Sequence, residues 1–262
     1  MTALAIPKIK TDNVITLSVV DGKISKKEKV RYNKDGSIDK RHNNKVAGKD
    51  SEVYAFNTQE EIKAMIDTLN RHIDEATDDN KEQIAHRNKL LFLIGINVGI
   101  RASDLRTLKW NFFLKENGEF KEFYTFQPKK TKNKGKFVKL YFNQTVKKAI
   151  TDYISIYPIS NLEDYLFTSR KGNDSITVDR ICMVIKDIAK ESGIEKNIGS
   201  HSLRKTWGYW VWHNAEDKNK ALVMLQECFK HSSSTVTLRY IGLMDEEKKD
   251  MYESVEIGYD FI

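Results

Sequence analysis

A chain of 262 residues with 40% hydrophobic content can bury a globular core, and it contains no run near the ~20 consecutive apolar residues of a membrane span. Its start, MTALAIPKIK, lacks a signal-peptide apolar block, and Cys182 and Cys228 stand outside any CxxC spacing, so a cytoplasmic protein without membrane, disulfide framework or zinc site is expected. A formal charge of +7 and a pI near 9.1 suit a polyanionic partner.

Residues 1–52 hold twelve Lys and Arg against seven Asp and Glu, so most of the excess charge sits in this first segment. A β-like run, Val14 to Val20, ends at an Asp21-Gly22 turn signal, and a polar, lysine-rich stretch follows. This is too little apolar surface for a core of its own. It is either a basic arm lying on the body or a ligand, or a solvated terminus.

A domain spanning 53–262 is expected to open near Val53. Thr58 and Glu61 form a capping-box pattern, with Ile62, Met65, Ile66 and Leu69 at helical spacing. The next helix runs from about Asp79 to Val98, apolar on most sides, and Gly99 ends it. Ser103 or Asp104 can cap a short helix through Leu108. Phe112 to Leu114, Phe120 to Phe126 and Phe137 to Phe142 then read as three strands. Helices return over roughly 144–156, 177–192, 201–214, 217–228 and 235–241, with a weaker one after Asp245. The fold class is therefore α+β: a mainly α-helical body with a three-stranded antiparallel β-sheet insert. Both cysteines fit as buried fillers, and Trp207, Trp210 and Trp212 as helix-packing residues.

Three groups of polar residues stand out from this pattern. Arg101 follows the most apolar helix directly, where pairing with Asp104 would also explain it. Ser200 to Thr206 sets His201 and Arg204 on one face of a first helical turn, a seat for an anion. Phe229-Lys230-His231 precedes Tyr240, nine residues beyond the histidine.

Taken in order, these residues resemble the catalytic set of the tyrosine recombinase (phage integrase) family over about residues 53–250. Gly99-Ile100-Arg101-Ala102-Ser103-Asp104-Leu105 is similar to the family's G-x-R-x-S-E/D-L, and His201-Ser202-Leu203-Arg204-Lys205-Thr206 to its H-x-L-R-H/K-T/S. Gln127 to Lys132 is similar to its hairpin turn, with Lys130 on the catalytic lysine and Lys129, Lys132 and Lys134 as rivals. Phe229-Lys230-His231 departs from the family's L-G-H in its first two residues.

The resemblance implies a site-specific DNA recombinase or integrase that cuts and rejoins double-stranded DNA through a 3′-phosphotyrosyl link, with no metal and no nucleotide cofactor. Its catalytic residues would be Arg101, Lys130, His201, Arg204, His231 and Tyr240. Asp104 would be structural, and Lys205 would touch the DNA backbone. A homotetramer on two duplexes is implied, with the C-terminal tail packing on its own subunit or a neighbour. The helical clamp domain that precedes typical members has no counterpart in residues 1–52. Type IB topoisomerase-like relaxation and a catalytically silent DNA-binding protein of the same fold are the alternatives.

Overall fold

The computed structural model describes residues 52–128, 137–169, 174–244 and 251–255, together with the backbone of 17–20 and 23–26. The chain divides into two compact units, Met1–Ser51 and Glu52–Ile262. In the first, β1 (Leu17–Val20) pairs antiparallel with β2 (Lys23–Lys26), Val20 opposite Lys23.

The second unit is built on α1 (Gln59–Asp74) and α2 (Asp79–Val98). Each starts on a side-chain cap: Thr58 Oγ1 accepts from Glu61 N at 3.2 Å, and Asp78 Oδ1 from Lys81 N at 2.9 Å. Glu61 reaches back one residue beyond the usual capping box, accepting from Asn57 N at 3.0 Å. Leu91, Phe92 and Ile94 of α2 are completely buried, as the near-continuous apolar sequence requires. Around α2 pack α1, α4 (Gln144–Ile156) and α6 (Ser200–His213). Between them in sequence lies α5 (Val178–Glu191), capped by Thr177 and buried through Ile181, Val184, Ile185 and Ile188.

The short α3 (Ala102–Leu105) begins on Arg101, so Ser103 and Asp104 lie inside it and neither caps it. Of the three expected strands, the first is a 3₁₀ turn, Trp110–Phe112, joined to the sheet region by the single bridge Leu114↔Phe120. The sheet among the described residues has two strands, β3 (Phe123–Phe126) and β4 (Val138–Tyr141), with Phe123 opposite Tyr141. The turn aims Phe113 and Leu114 inward, and both are buried. This explains an apolar run that mimics a strand.

A second apolar cluster joins α6 to α7 (Lys218–Phe229) and α8 (Ser234–Ile241) through Tyr209, Leu225, Phe229 and Ile241. Trp207, Trp210 and Trp212 pack against it, as expected for helix-packing residues. Residues just before α1 are stapled to α6: Phe56 N donates to Thr206 Oγ1 at 2.8 Å, and Trp210 Nε1 donates to Phe56 O at 2.9 Å. Gly208 permits close contact, since a Cβ there would lie 2.7 Å from Phe229 Cζ and 2.8 Å from Ile241 Cγ2.

Gly99 closes α2 in the left-handed conformation, with φ 62°. A Cβ on it would fall 2.2 Å from two atoms of the Trp207 ring. Gly99→Ala therefore combines backbone strain with a clash against a packed indole, and should cost about 3 kcal/mol or more of stability. Urea unfolding tests this. A loss below about 1 kcal/mol would mean that the indole moves freely aside.

Candidate active site

Four of the six expected catalytic residues come together where α3, α6, the end of α7 and α8 meet. Arg204, on the second turn of α6, is only 7% exposed. Nη1 of its guanidinium donates to Gly99 O, and Nη2 donates to Cys228 O at 3.3 Å. The Arg204 Cζ atom stands 4.5 Å from the Phe229 ring centroid. Burial lowers the Arg204 pKa first of all, the Tyr240 and Asp104 groups oppose that, and the Arg101 charge adds to it.

Tyr240 lies in the penultimate position of α8, whose cap Ser233 accepts from Val236 N at 3.3 Å. Its ring makes edge contacts with Phe229 and His231, each with centroids 5.0 Å apart. Burial raises the phenol above the ordinary tyrosine range, while the Arg204 and Arg101 guanidinium groups act in the opposite direction. At rest the nucleophile candidate is thus a neutral phenol beside two guanidinium groups.

His231 follows the end of α7, its N–H donating to Gln226 O at 3.0 Å. Its Nδ1 is 3.1 Å from the Oγ1 of Thr237, a fully buried side chain. Burial first, then the Arg204 and Arg101 charges, hold the imidazole below the ordinary histidine range. Thr237 Oγ1 also donates to Ser233 O at 3.3 Å; when its proton turns to Nδ1 instead, Nε2 carries the ring proton and can donate to an anion.

Arg101 is half-buried at the start of α3, and Asp104 behind it is buried. Both line a cavity of about 540 Å³ with Arg204, walled opposite by Phe126, Val138 and Leu140 of the β3–β4 pair. This cavity puts positive charge beside open space, as a phosphate site needs. His201 sits exposed on the first turn of α6. Lys130 and its rivals Lys129, Lys132 and Lys134 lie outside the described residues, as do most residues of the C-terminal tail.

Three other expectations change. Cys228 is exposed and Cys182 half-buried, so neither is a buried filler. Gly199, not Ser200, precedes α6, and its N–H donates to Ser202 Oγ at 3.1 Å. Lys205, expected at the DNA backbone, is 5% exposed and pairs with Glu52 at 2.8 Å. No sequence signal singles out Phe229, although its ring touches Arg204, His231 and Tyr240 together.

Lys230 stands where the family's pattern has glycine. It is the C-cap of α7 and, among the described residues, the non-glycine with positive φ, at 60°. Its Nζ pairs with exposed Glu227, a contact worth little. Lys230→Gly should therefore stabilise the protein by about 0.5–1 kcal/mol. Thermal unfolding would reveal a higher Tm, and an unchanged or lower Tm would contradict the strain argument.

Among the described residues no group of His, Cys, Asp and Glu could hold a metal ion, and no helix is long and apolar enough to cross a membrane. A model of the phage integrase family matches residues 56–247. The probable integrase/recombinase YoeC of Bacillus subtilis is 29% identical over 68% of this chain and 92% of its own length. The tyrosine recombinase XerH of Campylobacter jejuni is 26% identical over 74% of this chain but 50% of its own length. The tyrosine recombinase XerD of Oceanobacillus iheyensis is 26% identical over 66% and 55%. The chain thus spans about half the length of these two relatives. The crystal structure of XerA recombinase matches with a TM-score of 0.54 at 21% identity, over 78% of this chain and 64% of that one. XerH bound to a palindromic difH substrate after cleavage gives 0.51 at 20%, over 75% and 52%. Both structures share the mainly helical fold.

Proposed function

The chain belongs to the phage integrase family, and from that premise we propose that it is a site-specific DNA recombinase working through a 3′-phosphotyrosyl intermediate. The observation that carries this reading is the meeting of Arg101, Arg204, His231 and Tyr240, with the Tyr240 ring in edge contact with His231 and Phe229 and the Arg204 guanidinium against that same Phe229 ring.

Arg101 and Arg204 bind the nonbridging oxygens of the scissile phosphate, and their charge has more effect in a buried site than at the surface. Tyr240 Oη attacks phosphorus and loses its proton to His201, while the bond to the 5′ oxygen breaks. Lys130 protonates that departing oxygen, and His231 donates to the phosphate as negative charge builds up. A 5′-hydroxyl from another strand reverses the steps, so bond energy is kept and no cofactor is consumed. Asp104 steadies the arginines. Double-stranded DNA is the partner, and a homotetramer on two duplexes is the assembly that exchange between two sites requires. The basic segment 1–52 adds phosphate contacts.

The test is covalent trapping on a random-sequence library of nicked duplexes, in which loss of a short fragment prevents religation. A protein–DNA adduct that survives denaturation is the expected result, and sequencing the trapped DNA gives the site. A wild type that traps nothing would favour the silent DNA-binding alternative. Trapping with supercoil relaxation but no strand exchange would favour the topoisomerase alternative.

A further inference from the structure

A buried lysine needs a reason, because desolvating an ammonium is costly unless it is paired. Lys205 follows Arg204 on α6 and is only 5% exposed. Its Nζ lies 2.8 Å from Glu52 Oε1 and 5.3 Å from the centroid of the Tyr240 ring. Glu52 is itself held, its carbonyl accepting from Asn197 Nδ2 at 2.6 Å, and Tyr54 N donates to Asn197 O at 2.9 Å. Two consecutive cations of one helix therefore act on one tyrosine: the Arg204 charge favours ionisation of the phenol, and the Lys205 ammonium lies over the ring.

Resting on the reading of Tyr240 as nucleophile, we propose that Lys205, anchored by Glu52, is a positioning residue that fixes the Tyr240 ring and favours its ionised form. A charge near the hydroxyl alone leaves the ring free to turn. An ammonium near the ring, with Phe229 and His231 in edge contact, limits that movement. A neutral phenol attracts the cation weakly through its quadrupole. As the proton leaves, negative charge spreads into the ring and the attraction strengthens, so the contact is stronger when the oxygen is ready to attack. The charged and titratable groups around the phenol are Arg101, Arg204, Lys205 and His231, with Asp104 bearing on Arg204 and Glu52 on Lys205. Lys205 is the cation of this set that lies over the Tyr240 ring.

The test places 3-fluorotyrosine at position 240 and follows its ionisation by fluorine NMR, which needs no DNA. Lys205→Met should raise the titration midpoint by about one pH unit and slow adduct formation on the trapped duplex about tenfold, moving its pH–rate profile upward equally. Lys205→Arg should restore most of both. Glu52→Gln, at a side chain 47% exposed, should raise the midpoint about half as far, and it decides the matter if Lys205→Met does not fold. A folded Lys205→Met with an unmoved midpoint and profile overturns the proposal, even if its rate or stability falls. A midpoint that moves in a wild-type background forming no adduct would instead overturn the nucleophile reading and leave the coupling standing.

Discussion

Tyr240→Phe is expected to eliminate the covalent adduct, reducing strand cleavage by at least about 10⁴-fold, while leaving the fold in place. Phenylalanine keeps the ring and with it the edge contacts to Phe229 and His231. What disappears is the hydroxyl, the attacking group of the proposed reaction. Tyr240 is half-buried and its ring packing is kept, so the stability change should stay within about 1 kcal/mol. DNA binding, measured separately by gel retardation, should persist because the arginines remain. An adduct formed by the phenylalanine variant would assign the nucleophile to another residue.

Arg204→Ala should be nearly as severe for cleavage and should also weaken the fold. The guanidinium donates to Gly99 O and Cys228 O and lies against Phe229, whose ring also meets Tyr240. Truncation removes a transition-state donor, for which a loss of about 10²–10³-fold is usual, and the charge that favours ionisation of the Tyr240 phenol. It leaves two backbone carbonyls without that donor, at a cost of about 1–3 kcal/mol each when water cannot replace it. Single-turnover cleavage should fall by about 10³-fold or more, with a clearly lower Tm. Arg204→Lys separates the two effects: an ammonium keeps the charge but lacks the planar fork that spans two acceptors. It should recover part of the stability and little of the rate. Cleavage within tenfold of wild type in the alanine variant would refute the phosphate-clamp assignment.

Much of the fold is legible in the sequence because its helices announce themselves locally. Asp78 and Gly99 bound α2 in sequence as in space, and Thr58, Asn143, Thr177 and Asp217 each cap a helix through their own side chains. Phe112 to Leu114 misleads because three apolar residues look alike in a strand and in a turn that dives into the core. The site is legible for a different reason: the spacings among Arg101, Arg204, His231 and Tyr240 carry the family's pattern, although no single residue stands out. What stays hidden depends on partners distant in the chain. Lys205 looks like a surface lysine until Glu52, 153 positions earlier, is placed against it. Cys228 resembles core filler by type, yet it sits on the outer side of α7 next to fully engaged Phe229.

The seat of Arg204 consists of main-chain oxygens, from the residue that ends α2 and from the last turn of α7. Such acceptors cannot be deleted by changing a side chain. A changed side chain at position 228 accordingly leaves the guanidinium anchored, provided that the two chain bends persist. The anchor depends on backbone shape, so the left-handed glycine at 99 guards it as no side-chain acceptor could.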